Sequence, residues 1–371
     1  MTELLEALVR AESPSSSAAS QMPVKEILAE EFSALGMRVR TGRGQTSGGS
    51  LFARPRKRNG DARWQLLLGH FDTVWPTGTI ESMPFEVDGN VIRGPGVFDM
   101  KGGIVQIIFA LRALRDLGLK PEVTPVIFLN SDEEIGSHES GKYIRMLAKR
   151  VERVFVMEPA LGIDGSIKTA RKGVGRYTVL VRGKAAHAGL DPEGGASAIL
   201  ELSHVIQELF KLNDPARGIT VNVGTIDGGI RPNVVAAESK AVIDVRVATN
   251  VDAESIDAKI RAIEPATPGV SLDIDGFIGR PPLEPTPANT RLYERAQEYA
   301  RDLGFELTQG LAGGGSDGST TSQYTATLDG LGAVGDGAHA RHEHLLLDDT
   351  IKRTILLALL IMSPGLDEVQ P

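Results

Sequence analysis

Three short apolar runs each finish on a polar residue: WQLLLGH (64–70), TPVIFLN (124–130) and VERVFVME (151–158). Helix-length patterns separate and flank them. VKEILAEEFSALG (24–36) stops at Gly36, GGIVQIIFALRALRDLG (102–118) stops at Gly118, and GKYIRMLAKR (141–150) lies between the second and third runs. Strands this apolar need cover on both faces, and strands alternating with helices pair in parallel. The expectation is an α/β fold with a mostly parallel sheet sandwiched by helices. His70, the Glu133–Glu134 pair and Glu158 all fall at or just beyond the C-terminal ends of these runs. In open α/β sheets that edge is where sites form.

From about residue 168 the texture changes. GRYTVLVRG (175–183) alternates, as half-exposed antiparallel strands do. The helix ASAILELSHVIQELFKL follows, then GITVNVGTI, SKAVIDVRV, a helix around DAESIDAKIRAI, and VSLDIDG. That β-α-β-β-α-β order is ferredoxin-like. Long helices return near residue 278 with NTRLYERAQEYARDLG and end with DDTIKRTILLALLIM. At 371 residues the length suits about two domains. The division expected is a catalytic domain over 1–167 and 278–371, with an inserted α+β domain over 168–277.

A net charge of −8 with no long Lys/Arg run argues against a nucleic-acid or anionic-membrane partner. The longest apolar stretch, ILLALLIM (355–362), is far below the roughly 20 residues a membrane span needs. The opening MTELLEALVRAESPSS lacks the continuous apolar segment of a secretory signal, so a cytoplasmic protein is expected. Cysteine is absent, so any metal site must be built from imidazole and carboxylate.

Such groups are present in suggestive places. In GHFDTV, His70 offers a ring nitrogen, and Asp72, two residues on along an extended chain, points the same way to orient it. Asp99 lies in the turn GPGVFDMKGG before a helix, a context that equally suits a helix cap. Glu133 and Glu134 are adjacent like charges, costly unless a cation compensates them. Glu158 leaves a buried strand before Pro159 and needs a partner if buried. GAHARHEH offers His339, His342 and His344, and spacing does not choose among them.

Together GHFDTVWPTGT, GPGVFDMKGG, NSDEEIGS and MEPA resemble the dinuclear zinc metallopeptidase family of glutamate carboxypeptidase, aminoacylase, acetylornithine deacetylase and succinyl-diaminopimelate desuccinylase. The block HFDTVWPTGT is most similar to the glutamate carboxypeptidase branch. The resemblance implies two Zn2+ per subunit, with Co2+ or Mn2+ as substitutes. His70, Asp99 and Glu158 would hold one metal, and Asp99, Glu134 and His339 the other, with Asp99 bridging. It makes Glu133 the general base for attack of a metal-activated water on an amide carbonyl, and Asp72 the residue that orients His70. It implies that His187 in GKAAHAGL and Asn233 in GGIRPNVVA serve the site of a second subunit, hence a homodimer through the inserted domain. It assigns Arg246 to a substrate carboxylate and Gly314, Gly315 and Ser316 of GGGSDGS to a substrate loop. The expected activity is release of a C-terminal amino acid, glutamate foremost, from an N-acyl or peptide substrate. An N-acyl-amino-acid deacetylase or desuccinylase is the alternative, and a non-catalytic metal-binding scaffold is a more distant one.

Overall fold

The computed structural model describes residues 1–56 and 63–366, and divides into two compact units. The first comprises Met1–Ala170, Pro285–Ala312 and Ser316–Pro371; the second comprises Arg171–Glu284 with Gly313–Gly315. Among the described residues no helix is long and apolar enough to cross a membrane.

The first unit is built on strands Met37–Gly42 (β1), Ser50–Pro55 (β2), Trp64–His70 (β3), Thr124–Asn130 (β4) and Arg153–Val156 (β5). They lie in the order β1-β2-β4-β3-β5, with Ala326–Leu328 outermost beside β5. β3 runs parallel to both β4 and β5, while β1 and β2 form the antiparallel side. Side chains alternate between two cores. Leu66, Leu68, Val126 and Phe128 pack against Ile144 and Leu147 of helix Gly141–Ala148. Leu67, Ile127, Leu129 and Phe155 join the larger core with Ile104, Ile107 and Ile108 of helix Gly102–Asp116. Both faces are thus covered, which is why these strands are apolar at nearly every position.

Parallel register aligns the strand ends. His70 sits opposite Asn130, and Leu68 opposite Val156, so the residues after each strand emerge at one edge. Gly103 lets the helix start close against this edge: a Cβ there would lie 2.1 Å from the Met157 carbonyl oxygen.

A small sheet that the sequence reading did not anticipate holds the C-terminal histidines. Hairpin Glu86–Asp88 and Val91–Arg93 pairs through the latter with His344–Leu346, which pairs with Gly335–Asp336. The loop from Gly337 to Glu343 joins the last two, turning at Gly337, whose φ is +83°.

The second unit contains Gly173–Arg182 (β6), Thr220–Gly228 (β7), Glu238–Val247 (β8) and Ser271–Arg280 (β9), in the all-antiparallel order β7-β8-β6-β9. Helices Ala198–Lys211 and Asn250–Arg261 complete a ferredoxin-like β-α-β-β-α-β. Tyr177, Val179, Val181, Ala241, Ile243 and Val245 face these helices, so the period-2 alternation reports one wet face. β9 continues three residues past position 277, and the unit closes at Glu284.

Candidate metal centre

The strand ends and the small sheet bring five candidate metal-ligand side chains of the first unit into one cluster. His70 Nε2 lies 3.4 Å from Asp99 Oδ1 and 3.4 Å from Glu158 Oε1. His339 Nε2 lies 3.4 Å from Asp99 Oδ2 and 3.1 Å from Glu134 Oε2. Asp99 therefore turns one oxygen toward each histidine. Ligand-type atoms of His70, Asp99 and Glu134 fall within 4.8 Å of one another, and so do those of His70, Glu133 and Glu158.

Each side chain is placed by its local backbone. His70 ends β3, with its ring Nδ1 3.0 Å from the Asp72 carbonyl and 3.3 Å from Asp72 Oδ1. Its Nε2 is thereby left for the cluster. The Asp72 carboxylate also accepts from the backbone N–H of Glu133 (3.3 Å) and Glu134 (3.2 Å) and from Ser15 Oγ (2.7 Å). One buried carboxylate thus fixes the histidine and the diglutamate turn together. Ser15 was not among the sequence candidates; it lies 57 residues upstream of Asp72, with no local pattern tying the two together.

Asp99 is not a helix cap. It occupies an extended conformation (φ −114°, ψ 99°) in the kinked segment Val97–Lys101 ahead of helix Gly102–Asp116. That segment is gripped by Glu343, which sequence reasoning also missed as a functional residue. Glu343 Oε1 accepts from the backbone N–H of Phe98 and Asp99, each at 3.0 Å. Oε2 accepts from Gly96 N–H at 2.9 Å and Trp75 Nε1–H at 2.7 Å. Burial pushes the Glu343 carboxyl up to about 7, while those four donors favour its ionised form. His339 has a left-handed backbone, φ +63°, in the loop after Gly337, and its ring is half-exposed. His344 Nδ1 is 2.9 Å from the His342 carbonyl, and His344 belongs to the small sheet. Of the three histidines, His339 is the one within ion-pair distance of Asp99 and Glu134.

The electrostatics fit a cation centre. Burial opposes protonation of His70, but Asp72, Asp99 and Glu158 together raise its pKa well above 6.5. Hydrogen bonding to Asp99 and Glu134 raises His339 to about 10. Burial works against the charge on Asp99, yet His339 and His70 hold its carboxyl well below the usual range. Burial raises Glu134. Asp99 Oδ1 and Glu134 Oε1 are buried without a hydrogen-bond partner. Two orphaned carboxylate oxygens beside two ring nitrogens form a mixed N/O donor set suited to zinc, cobalt or manganese.

The remaining sequence candidates belong to the second unit or its border. His187 Nδ1 accepts from the backbone N–H of Gly189 and Leu190, both at 3.1 Å. With Nδ1 occupied as an acceptor, Nε2 is the ring atom left to donate, and the residue is exposed. Asn233 is its neighbour: Ala188 N–H donates to the Asn233 carbonyl at 3.1 Å, and His187 bridges Val234. Arg246 forks onto Asp244, Nε to Oδ2 at 2.8 Å and Nη2 to Oδ1 at 3.1 Å, and reaches the Gly313 carbonyl at 3.4 Å. The Gly314 carbonyl accepts from Arg171. Gly315 packs beside Arg280: a Cβ on it would lie 3.0 Å from Arg280 Cδ. The Ser316 hydroxyl is committed locally. It donates to Asp329 at 2.6 Å and accepts from Gly318 N–H at 3.0 Å, capping the five-residue helix Asp317–Thr321. That local role is the helix cap such a serine favours.

The sequence pattern of Peptidase family M20/M25/M40 matches residues 66–363. The chain is 30% identical over 308 residues to carboxypeptidase G2 of Pseudomonas sp. (strain RS-16), covering 81% of this chain and 74% of that one. In structure it is similar to aminopeptidase PepT from Bacillus cereus ATCC 10987, with TM-score 0.80, 21% identity, and 97% and 96% of the two chains covered. It is likewise similar to the Bacillus subtilis YXEP protein, described as a dinuclear metal binding peptidase, with TM-score 0.68, 14% identity and 98% of each chain covered.

Proposed function

The chain belongs to peptidase family M20/M25/M40, whose members are metal-dependent peptidases and amidohydrolases, and on that premise we propose that it is a two-zinc carboxypeptidase releasing a C-terminal amino acid, glutamate foremost, from N-acyl or peptide substrates. The observation that carries this reading is Asp99, with one carboxylate oxygen directed to each histidine. His70 and Glu158 would complete one metal position, and Glu134 and His339 the other. Bound there, the cations would supply Lewis acidity, drawing the pKa of a coordinated water toward 7 and polarising the amide carbonyl.

This chain's own residues do the rest. Glu133, grouped with His70 and Glu158, takes the proton of the attacking water and returns it to the departing nitrogen. Asp72 keeps His70 in one tautomer and holds the Glu133–Glu134 turn in place. In a homodimer, His187 and Asn233 would serve the other subunit, the outward Nε2–H of His187 donating to the developing oxyanion. Support for the dimer comes from the second unit. β7 is an edge strand carrying exposed Ile226, and Ile199, Leu200 and Phe210 are exposed on helix Ala198–Lys211. Sedimentation analysis is expected to give a dimer that Ile226→Lys shifts toward monomer; a monomeric wild type would end this part of the reading.

A substrate panel tests the activity. N-acyl-glutamates are expected to give the highest kcat/KM, ahead of dipeptides and N-acetyl-ornithine, with zinc found in the purified protein. A preference for N-acetyl-ornithine would turn the reading to a deacetylase. Absence of turnover with metal bound would turn it to a scaffold.

Arg246 is the proposed holder of the substrate carboxylate. Because Asp244 already occupies its fork, a substrate would share or displace that partner. A charge-assisted hydrogen bond contributes about 1.5–3 kcal/mol, so Arg246→Ala should lower kcat/KM for N-acyl-glutamates about tenfold to a hundredfold. An unchanged value would remove Arg246 from substrate binding.

A further inference from the structure

Helix Leu347–Met362 carries a buried cation that the proposed metal centre does not use. Arg353 is only 3% exposed. Its guanidinium forms no hydrogen bond or ion pair with the described residues, and Nη1 is buried without any partner. Native proteins rarely leave such a charge uncompensated, because desolvation is costly unless a counterion or hydrogen bonds offset it. Burial lowers its pKa to about 10, against a smaller opposing pull from the Asp349 carboxylate, which makes no ion pair with it.

Arg353 lines a cleft of about 230 Å3 in the first unit. Phe305 and Val334 provide apolar walls, while the exposed carboxylates of Asp164 and Glu306 line it from the solvent side. Asp349 and Lys352 also line the cleft, with Lys352 donating to Asp349 at 2.9 Å. Gly165, at φ +73°, faces the guanidinium; a Cβ there would lie 3.2 Å from Arg353 Nη2. The glycine leaves that approach open.

Opposite charges at the two ends define the ligand. A buried cation at the base selects an anionic group, and a planar guanidinium suits a carboxylate. The acidic residues repel a dianion such as phosphate and favour an ammonium. Apolar walls between them suit a small aliphatic side chain. We propose that this cleft is a second ligand site, separate from the metal centre, that takes a neutral aliphatic α-amino acid as its zwitterion, with the carboxylate on Arg353 and the ammonium toward Asp164 and Glu306.

Calorimetry on the full chain with leucine as the probe tests this. The expected result is a saturable heat at one site per chain, absent with leucinamide, which lacks the carboxylate, and with N-acetyl-leucine, which lacks the ammonium. Arg353→Met should weaken leucine binding at least about tenfold, the loss of a charge-assisted contact. If that variant does not fold, the double variant Asp164→Asn/Glu306→Gln alters only exposed carboxylates and should also weaken leucine. Glu133→Gln, designed to stop turnover, should leave the heat unchanged, so the cleft and the proposed hydrolysis stand or fall separately. The proposal is overturned by no heat with leucine, by equal binding in the cleft variants, or by loss of binding in Glu133→Gln, which would put leucine in the metal centre.

Discussion

Glu133→Gln is expected to bind two metal ions like the parent chain and to turn over substrate about two to four orders of magnitude more slowly, the usual contribution of a positioned general base. The two neighbouring glutamates have different partners. Glu134 Oε2 is 3.1 Å from His339 and groups with His70 and Asp99, whereas Glu133 groups with His70 and Glu158. Both backbones are fixed by the same Asp72 carboxylate through N–H groups that substitution does not touch. The glutamine side chain should therefore occupy the same place, and its amide does not take up a proton near neutral pH. Steady-state kinetics and metal analysis of one preparation read out the two halves of the expectation. Near-normal turnover would remove Glu133 from proton transfer. Loss of one metal with loss of activity would make it a ligand instead.

The features legible in the sequence were those set by short-range periodicity. WQLLLGH and TPVIFLN could be read as buried strands because burial on both faces leaves no room for alternation, and parallel pairing then sends His70, Glu133, Glu134 and Glu158 to one edge. The second unit was readable for the opposite reason: SKAVIDVRV alternates, Val242 apart, because one face of its sheet is wet. What stayed hidden depends on contacts between distant segments. Hairpin 86–93 is too short and too polar to announce itself as a strand pair, so the small sheet that suspends His339 left no pattern. For Asp99 the Gly-rich turn left a helix cap open beside the ligand role that the resemblance implied; its extended backbone donates its N–H to a residue 244 positions away, a contact no local pattern shows. Ser316 shows the reverse case, a serine with a possible ligand role whose hydroxyl is taken up by Asp329 and its own helix.

That distant grip makes Glu343→Ala the most disruptive single change expected outside the proposed ligands. The carboxylate is buried and accepts four N–H groups, three from the backbone that shapes the Asp99 loop and one from Trp75. Each buried donor left unpaired costs about 1–3 kcal/mol, so the alanine variant should lose several kcal/mol of stability. Glu343→Gln keeps the shape but presents its NH2 group to one pair of those donors, so about half the penalty should remain. The functional effect should be distinct from general unfolding. Asp99 turns an oxygen to each histidine, so loosening its backbone should disturb both proposed metal positions at once. Residues that orient ligands in this way typically contribute about 10–100-fold in metal affinity or activity. For Glu343→Gln the expected result is therefore a lowered melting temperature, metal affinity reduced by that factor in chelator competition, and activity that recovers as metal concentration is raised. Activity that stays low at saturating metal in a folded variant would mean that Glu343 does more than hold the Asp99 loop. Unchanged metal affinity would mean that the loop keeps its shape without Glu343.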